Sequence, residues 1–312
     1  MPSPYVWQHP PRPAELFLPD GSKFSSTADK TWHRALWSSE AAMASIGLAT
    51  AGFPDMIVSA HLQVSPGGRP FSASIIREAL RLLRFEHPII ATRLACGKPP
   101  PGSPSPFGQP KLVYEAPASE DIVEAWLNAI VIDRSDVLTK SGDLESAVAL
   151  IRRELGAALP VYLPSQLDVH YILEEDSRGL TLLLRFGHAS FDGIGSFVFL
   201  DVIIRKIAEV VGSDTTQQLA LPWGEEVGRL APCAVDNVKI PWIPAEERSD
   251  MTMRDTMANA IERIASQVSS CAAARTSATN QIYRKLYHFI PPTPSRRRLI
   301  LDTTIAHTQR TC

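Results

Sequence analysis

The stretch that most limits what this chain can become is Leu180-Thr-Leu-Leu-Leu-Arg-Phe186, closed by Gly187. It has strand length, is almost wholly apolar and stops at a glycine, which is how a strand buried inside a sheet reads. A polar knot follows, His188-Ala-Ser-Phe-Asp192-Gly193. Apolar residues then recur at helical spacing, at Ile194, Phe197, Val198, Phe199, Val202, Ile203, Ile207 and Val210. Asp201, Arg205, Lys206 and Glu209 are left toward water. An imidazole thus stands where a buried strand hands over to a buried helix, fixed by backbone on both sides. A side chain that must be placed accurately is well served there. His188 is the candidate reaction centre.

The rest of the chain supplies partners for that unit. Ser38 to Thr50 suits a short helix with a serine cap, and Met56 to Val64 alternates loosely as a strand. After Pro66-Gly67-Gly68, Ile76, Leu80 and Leu83 form one stripe of a helix over 72–86, and Pro88 stops it. Ile89 to Leu94 reads as a strand, and the proline- and glycine-rich residues 97–110 as a surface loop. Lys111 to Glu115 is a short strand. Helices are expected over 119–132 and 143–157, the first opening with acids that favour a helix N-terminus. Leu167 to Glu174 and Leu180 to Phe186 flank the turn Glu175–Gly179 as a β-hairpin. A further helix is expected over 251–270.

Strands and helices mixed without strict alternation give an α/β or α+β fold around a mixed sheet. The expected division is an extended arm over 1–30, a lobe over 31–212, a crossover over 213–270 and a basic, turn-rich end over 271–312.

Composition excludes several partners. A formal net charge of −2 with 45% hydrophobic and 21% charged residues does not point to nucleic acid or an anionic membrane. Asp201 and Arg205–Lys206 interrupt the longest apolar stretch below membrane-spanning length. The first residues lack the apolar core of a signal peptide, so a cytoplasmic location is expected. Cys96, Cys233, Cys271 and Cys312 show no metal-ligand spacing and read as free thiols.

The knot itself allows several chemistries. An imidazole with a near-neutral pKa can take a proton from a hydroxyl, amine or thiol. Asp192 can cap the following helix, or brace the loop through an arginine, or relay directly to His188. A metal pair of His188 with Asp192 finds no third ligand nearby. Gly193-x-Gly195 lacks the third glycine of a dinucleotide loop, and there is no Gly-x-Ser-x-Gly elbow.

His188-Ala-Ser-Phe-Asp192-Gly193 resembles the HxxxDG signature of the acyltransferase superfamily. That group includes chloramphenicol acetyltransferase, BAHD acyltransferases, peptide-synthetase condensation domains and fungal trichothecene-type O-acetyltransferases. Ala79 to Leu94 is similar to the early helix and HP-x-L-x-x-R segment of these proteins, and Trp223-Gly-Glu-Glu-Val-Gly-Arg-Leu230 to the WGEE segment of fungal members.

The resemblance implies one lobe of a two-lobed chloramphenicol acetyltransferase-like fold, with the histidine mid-channel. It implies acyl transfer from a CoA thioester to a hydroxyl or amine of a small, secondary-metabolite-like acceptor. His188 would be the general base, Asp192 structural, and Gly193 would leave room at the channel wall. Arg93 is the proposed partner of Asp192, with Arg185 second, and Ser190 and Phe191 would line the channel. No metal and no permanently bound cofactor are implied, only acyl-CoA as co-substrate. A carrier-protein thioester is the alternative donor. Condensation domains often carry a second histidine just before the motif histidine, where this chain has Gly187, which favours free CoA. The DFGWG-like segment of the second lobe is missing, so the chain reads as a truncated N-terminal lobe. Such a lobe would self-associate through its exposed face, or be a catalytically inactive fragment or binding module.

Overall fold

In a computed structural model of the chain, the described residues are 6–9, 16–17, 30–49, 55–65, 67–99, 101, 108–157, 166–213, 219–232 and 302–305. All of them belong to one compact unit, Met1–Lys239 with Leu299–Cys312.

In chain order the strands and helices are β1 (Thr31–Ala35), α1 (Ser38–Ala49), β2 (Met56–Gln63), α2 (Ala73–Glu86), β3 (Arg93–Cys96), β4 (Pro110–Glu115), α3 (Glu120–Ile130), β5 (Val131–Asp133), α4 (Ser135–Ser141), α5 (Leu144–Ala157), β6 (Leu167–Leu173), β7 (Gly179–Phe186), α6 (Gly193–Gly212) and β8 (Asp302–Ile305). They form a five-stranded sheet of order β5-β6-β7-β2-β8 and a three-stranded sheet of order β1-β4-β3. β5 runs parallel to β6 while the other pairs are antiparallel, so the larger sheet is mixed, as expected.

Every residue of β7 is buried, which requires cover on both faces. Alternation divides that cover. Leu180, Leu182, Leu184 and Phe186 join Val58, Ala60 and Leu62 of β2 and Leu167, Val169 and Tyr171 of β6 on one face. There they meet Ile76, Leu80 and Leu83 of α2, Val123 and Leu127 of α3, and Ile203 and Ile207 of α6. On the opposite face Ile57, Ile172 and Leu183 pack under Val137 of α4 and Ala147, Ile151 and Leu155 of α5.

Three readings from the sequence are corrected. Pro88–Ala91 is a 3-10 turn, and the strand begins only at Arg93, because Thr92 N–H bonds back to Ile89 O. β5 and α4 were not anticipated: the apolar residues closing α3 run straight into a three-residue strand too short to show a period. In α6 the stripe facing the sheet is Ser196, Phe199, Leu200, Ile203, Ile204 and Ile207. Ile194 and Val198, assigned to the buried side, are 76% and 58% exposed, because apolar residues occupy more than one side of this helix. The helix expected over 251–270 lies outside the described residues. Asp302–Ile305, from the basic end, lies beside β2 as an edge strand.

Residues 219–232 are docked, although the sequence there shows little periodicity. Trp223 Nε1–H donates to Glu120 Oε1 at 2.9 Å and its ring meets Phe85 edge-on. Arg229 lies over the Phe85 ring and donates through Nε to Phe85 O. Fully buried Glu226 accepts from Tyr114 Oη at 2.9 Å. Arg81, also fully buried, donates to Glu78, Glu120 and Leu219 O. The WGEE segment is therefore a polar clasp on α2, α3 and β4. Glu226→Ala leaves the Tyr114 hydroxyl without its acceptor in a dry site, an expected loss of about 1–3 kcal/mol in urea unfolding.

Candidate functional site

The motif turn begins where β7 runs out of partners. Met56 of β2 and Leu167 of β6 both stand opposite Phe186, so the sheet ends there on both sides. Ser190 N–H and Phe191 N–H then bond back to Gly187 O at 3.1 and 3.3 Å, closing a tight turn around His188. The His188 ring is partly exposed and has no hydrogen-bond partner among the described residues.

Asp192 caps α6: its Oδ1 accepts from Gly195 N–H at 2.6 Å. Ser196, one turn on, donates its hydroxyl to Asp192 O at 2.9 Å. On the core side, Phe186, Phe191 and Phe199 form a cluster with centroids 4.7 to 6.1 Å apart, which holds the turn against the sheet. Gly193 has open space around it, so a side chain there would meet nothing within 4 Å.

The turn is clamped from across by Gln166, the residue just before β6, which no sequence argument singled out. Its backbone N–H donates to Thr92 O and its backbone O accepts from Gly187 N–H. Its side chain is fully buried, and Oε1 accepts from Ser190 Oγ at 3.2 Å. A Cβ added at Gly187 would stand 2.5 Å from that oxygen, so any larger residue before His188 requires the Gln166 amide to move. The hairpin register carried the one available signal, a polar residue placed opposite the glycine that precedes the motif histidine.

Over residues 73–268, more than half of the chain, the sequence matches the family model described as 15-O-acetyltransferase Tri3. The chain belongs to the Tri3 15-O-acetyltransferase family. Trichothecene 15-O-acetyltransferase TRI3 of Fusarium sporotrichioides is 21% identical over 196 residues, covering 60% of this chain and 36% of the relative. The solved structure of TRI3 from the same organism superposes with a TM-score of 0.52 at 17% identity, over 66% of this chain and 40% of that one. The first condensation domain of the calcium-dependent antibiotic synthetase, in complex with a substrate analogue, is similar at a TM-score of 0.39 and 18% identity, over 57% and 38% of the two chains. The chain therefore spans about two-fifths of the length of the TRI3 proteins it matches. Its mixed sheet with helices on both faces is the chloramphenicol acetyltransferase-like architecture of that superfamily.

In this Tri3-family chain the residues proposed around His188 separate into three groups. Ser190 is adjacent, half-buried and tied to Gln166. Phe191 is buried among Phe186 and Phe199, where its ring completes the core above the sheet end. The pairing of Asp192 with an arginine is not formed. Asp192 is exposed at the helix N-terminus, where the backbone N–H groups satisfy it. Arg93 pairs with Glu115 across the smaller sheet, and Arg185 with Asp55 at 3.1 Å. Asp192 also makes no hydrogen bond to His188, so the capping reading is the geometry observed. Among the described residues no three His, Cys, Asp or Glu side chains converge as metal ligands, and no helix is long and apolar enough to cross a membrane.

The face of the sheet turned away from the core cluster of α2 and α6 carries charge close to the motif turn. Asp168 stands opposite Arg185 in register, and the Arg185–Asp55 pair is buried on both sides. Burial pushes the Asp168 carboxyl up to about 7; Arg185 opposes that shift and Asp55 adds to it. His170, two residues along, has neither ring nitrogen hydrogen-bonded among the described residues. Burial, reinforced by Arg134 and Arg185 and opposed by Glu154, pushes it down to about 4.

The two groups act on stability in opposite directions. Asp168 keeps its proton in the folded chain up to about pH 7, while the unfolded carboxyl releases it near 3.8, so this contribution falls as pH rises between them. His170 is neutral in the folded chain down to about pH 4, while the unfolded ring charges below 6.5, so its contribution rises with pH over that window. Removing either should unmask the other. Relative to the parent, Asp168→Asn should gain stability as pH rises from about 4 to 6.5, and His170→Gln should lose it. Urea unfolding at several pH values across the window reads both slopes, and equal slopes in all three chains would contradict the assignment.

Proposed function

We propose that this chain supplies the base-bearing lobe of an acyltransferase that moves an acyl group from a CoA thioester to a hydroxyl or amine of a small, secondary-metabolite-like acceptor. One observation carries the reading: within the segment matched to the Tri3 family, a partly exposed histidine with no hydrogen-bond partner among the described residues stands at the open end of the central strand. A histidine serving the core would be sealed or hydrogen-bonded, whereas this one is available to a ligand.

In the proposed reaction a His188 ring nitrogen removes the proton from the acceptor oxygen or nitrogen as that atom bonds to the thioester carbonyl carbon. The tetrahedral species collapses by breaking the carbon–sulfur bond. The thiolate of CoA leaves and takes the proton back from the imidazolium, so the histidine is regenerated and no covalent acyl-enzyme forms. General-base assistance of this kind is worth about 10²–10⁴-fold. Asp192 orders the N-terminus of α6 and takes no proton. Gly193 leaves the approach open, and Ile194 and Val198, one helical turn apart beside it, give that approach an apolar rim.

Free CoA is favoured over a carrier-protein thioester by the packing at Gly187. A second histidine before the motif histidine would have to occupy the space filled by the Gln166 amide. The competing reading, a lobe that keeps the fold without activity, has its own support in the two-fifths coverage of the relatives.

His188→Ala separates these readings. With acetyl-CoA and a panel of small alcohols and amines, thiol release should fall by about 10²–10⁴-fold in the variant. Its thermal midpoint should stay close to the parent's, because the ring makes no hydrogen bond to lose. No acceptor-dependent thiol release by the parent chain would favour the inactive lobe, and a large loss of stability in the variant would make His188 structural.

A further inference from the structure

We infer that Gln166 is the positioning residue for His188, holding the motif turn through its side-chain amide in place of a carboxylate brace. The inference deepens the reading of His188 as the base and rests on it.

Three observations converge on this side chain. His188 itself touches no hydrogen-bonding group among the described residues, so its ring direction is inherited from the turn 187–191. Among the described residues that turn has one side-chain tie to a distant segment, from Ser190 Oγ to Gln166 Oε1 just before β6. The same amide is pressed against Gly187, the residue immediately before the histidine, closely enough that a side chain there would have to displace it. Gln166 thus bounds His188 from both sequence directions, by contact at position 187 and by hydrogen bond at position 190. The side chains expected to do this are engaged elsewhere: Asp192 with the helix N-terminus, Arg93 with Glu115 and Arg185 with Asp55.

The nature of the amide matters as well as its place. Gln166 is fully buried, yet among the described residues its Nε2 has no hydrogen-bond partner. A purely structural position would be filled more favourably by an apolar residue of the same shape, since an unpaired buried donor costs stability. An amide here is therefore better accounted for by the hydrogen bond that its oxygen accepts from the turn. Leucine, of similar volume, keeps the packing and deletes that bond.

The test uses the full 312-residue chain labelled with 13C-histidine, with the His188 Cε1–H signal assigned by its disappearance in His188→Ala. In Gln166→Leu the His188 signal should shift and broaden while that of exposed His9, stacked on Trp32, stays in place. In thiol-release kinetics kcat should fall, by up to about 10²-fold for a displaced catalytic group, with the acceptor KM little changed. Ser190→Ala should act in the same direction, and the double variant should be no worse than Gln166→Leu alone, because both changes remove one bond. An unmoved His188 signal in Gln166→Leu, or fully additive losses in the double variant, would overturn the inference. Should Gln166→Leu fail to fold, Ser190→Ala deletes the same bond without touching the buried amide, and its His188 signal decides. If the parent chain releases no thiol, the transferase reading fails by itself, and the resonance measurement still settles whether Gln166 places the ring.

Discussion

β7 is buried along its whole length, and the other parts of the unit follow from satisfying it. A strand with apolar side chains on both faces must be covered twice, and its backbone must be paired on both edges. β2 and β6 provide the pairing over seven or more residues each. α2, α3 and α6 cover one face, and α4 and α5 the other. Because both neighbours reach their ends opposite Phe186, the chain emerges there with one bond across left, Gly187 N–H to Gln166 O, and its next hydrogen-bonding groups unmet by the sheet. The tight turn Gly187–Phe191 satisfies them locally, and the residue at its apex is His188.

This arrangement separates rigidity from exposure. The backbone on either side of the histidine is fixed by the most buried strand in the sheet and by a twenty-residue helix whose inner stripe packs on that sheet. Phe191 turns inward and joins the aromatic cluster, while His188 and Asp192 turn outward. The aromatic residue in the motif is thus a packing residue, and its neighbours gain their accessibility because it takes the core position between them. The carboxylate then neutralises the start of α6 instead of serving the imidazole, as an aspartate at a helix N-terminus ordinarily does.

Charge is distributed just as asymmetrically between the two faces of the sheet. The face against α2 and α6 is apolar along all three central strands. The other face carries Asp168, His170, Arg185 and Ser59, the last accepting from Arg152 of α5. Asp168 and His170 are held in their neutral forms by burial over a shared pH range and offset one another. The polar face therefore tolerates burial near the motif turn without making the unit strongly pH-sensitive. A comparable concentration of charge lies under the WGEE clasp, where Arg81, Arg84, Tyr114 and Glu226 are buried together.

Local sequence alone determined the strand at 180–186, the helix stripe of α2, the existence of helix α6, the hairpin of β6 and β7, and the position of the histidine between strand and helix. Each of these rests on spacing along one segment, which is printed in the chain itself. Only the tertiary structure decided which carboxylate meets which arginine, because Arg185 meets Asp55 across a sheet register joining residues 130 positions apart. It also decided which side of α6 faces the sheet, since Ile194 and Val198 are as apolar as the residues that were buried. Gln166 is the clearest case. Nothing in its own neighbourhood marks it, and its significance comes from lying opposite Gly187 once two strands have paired, where distance in space no longer follows distance along the chain.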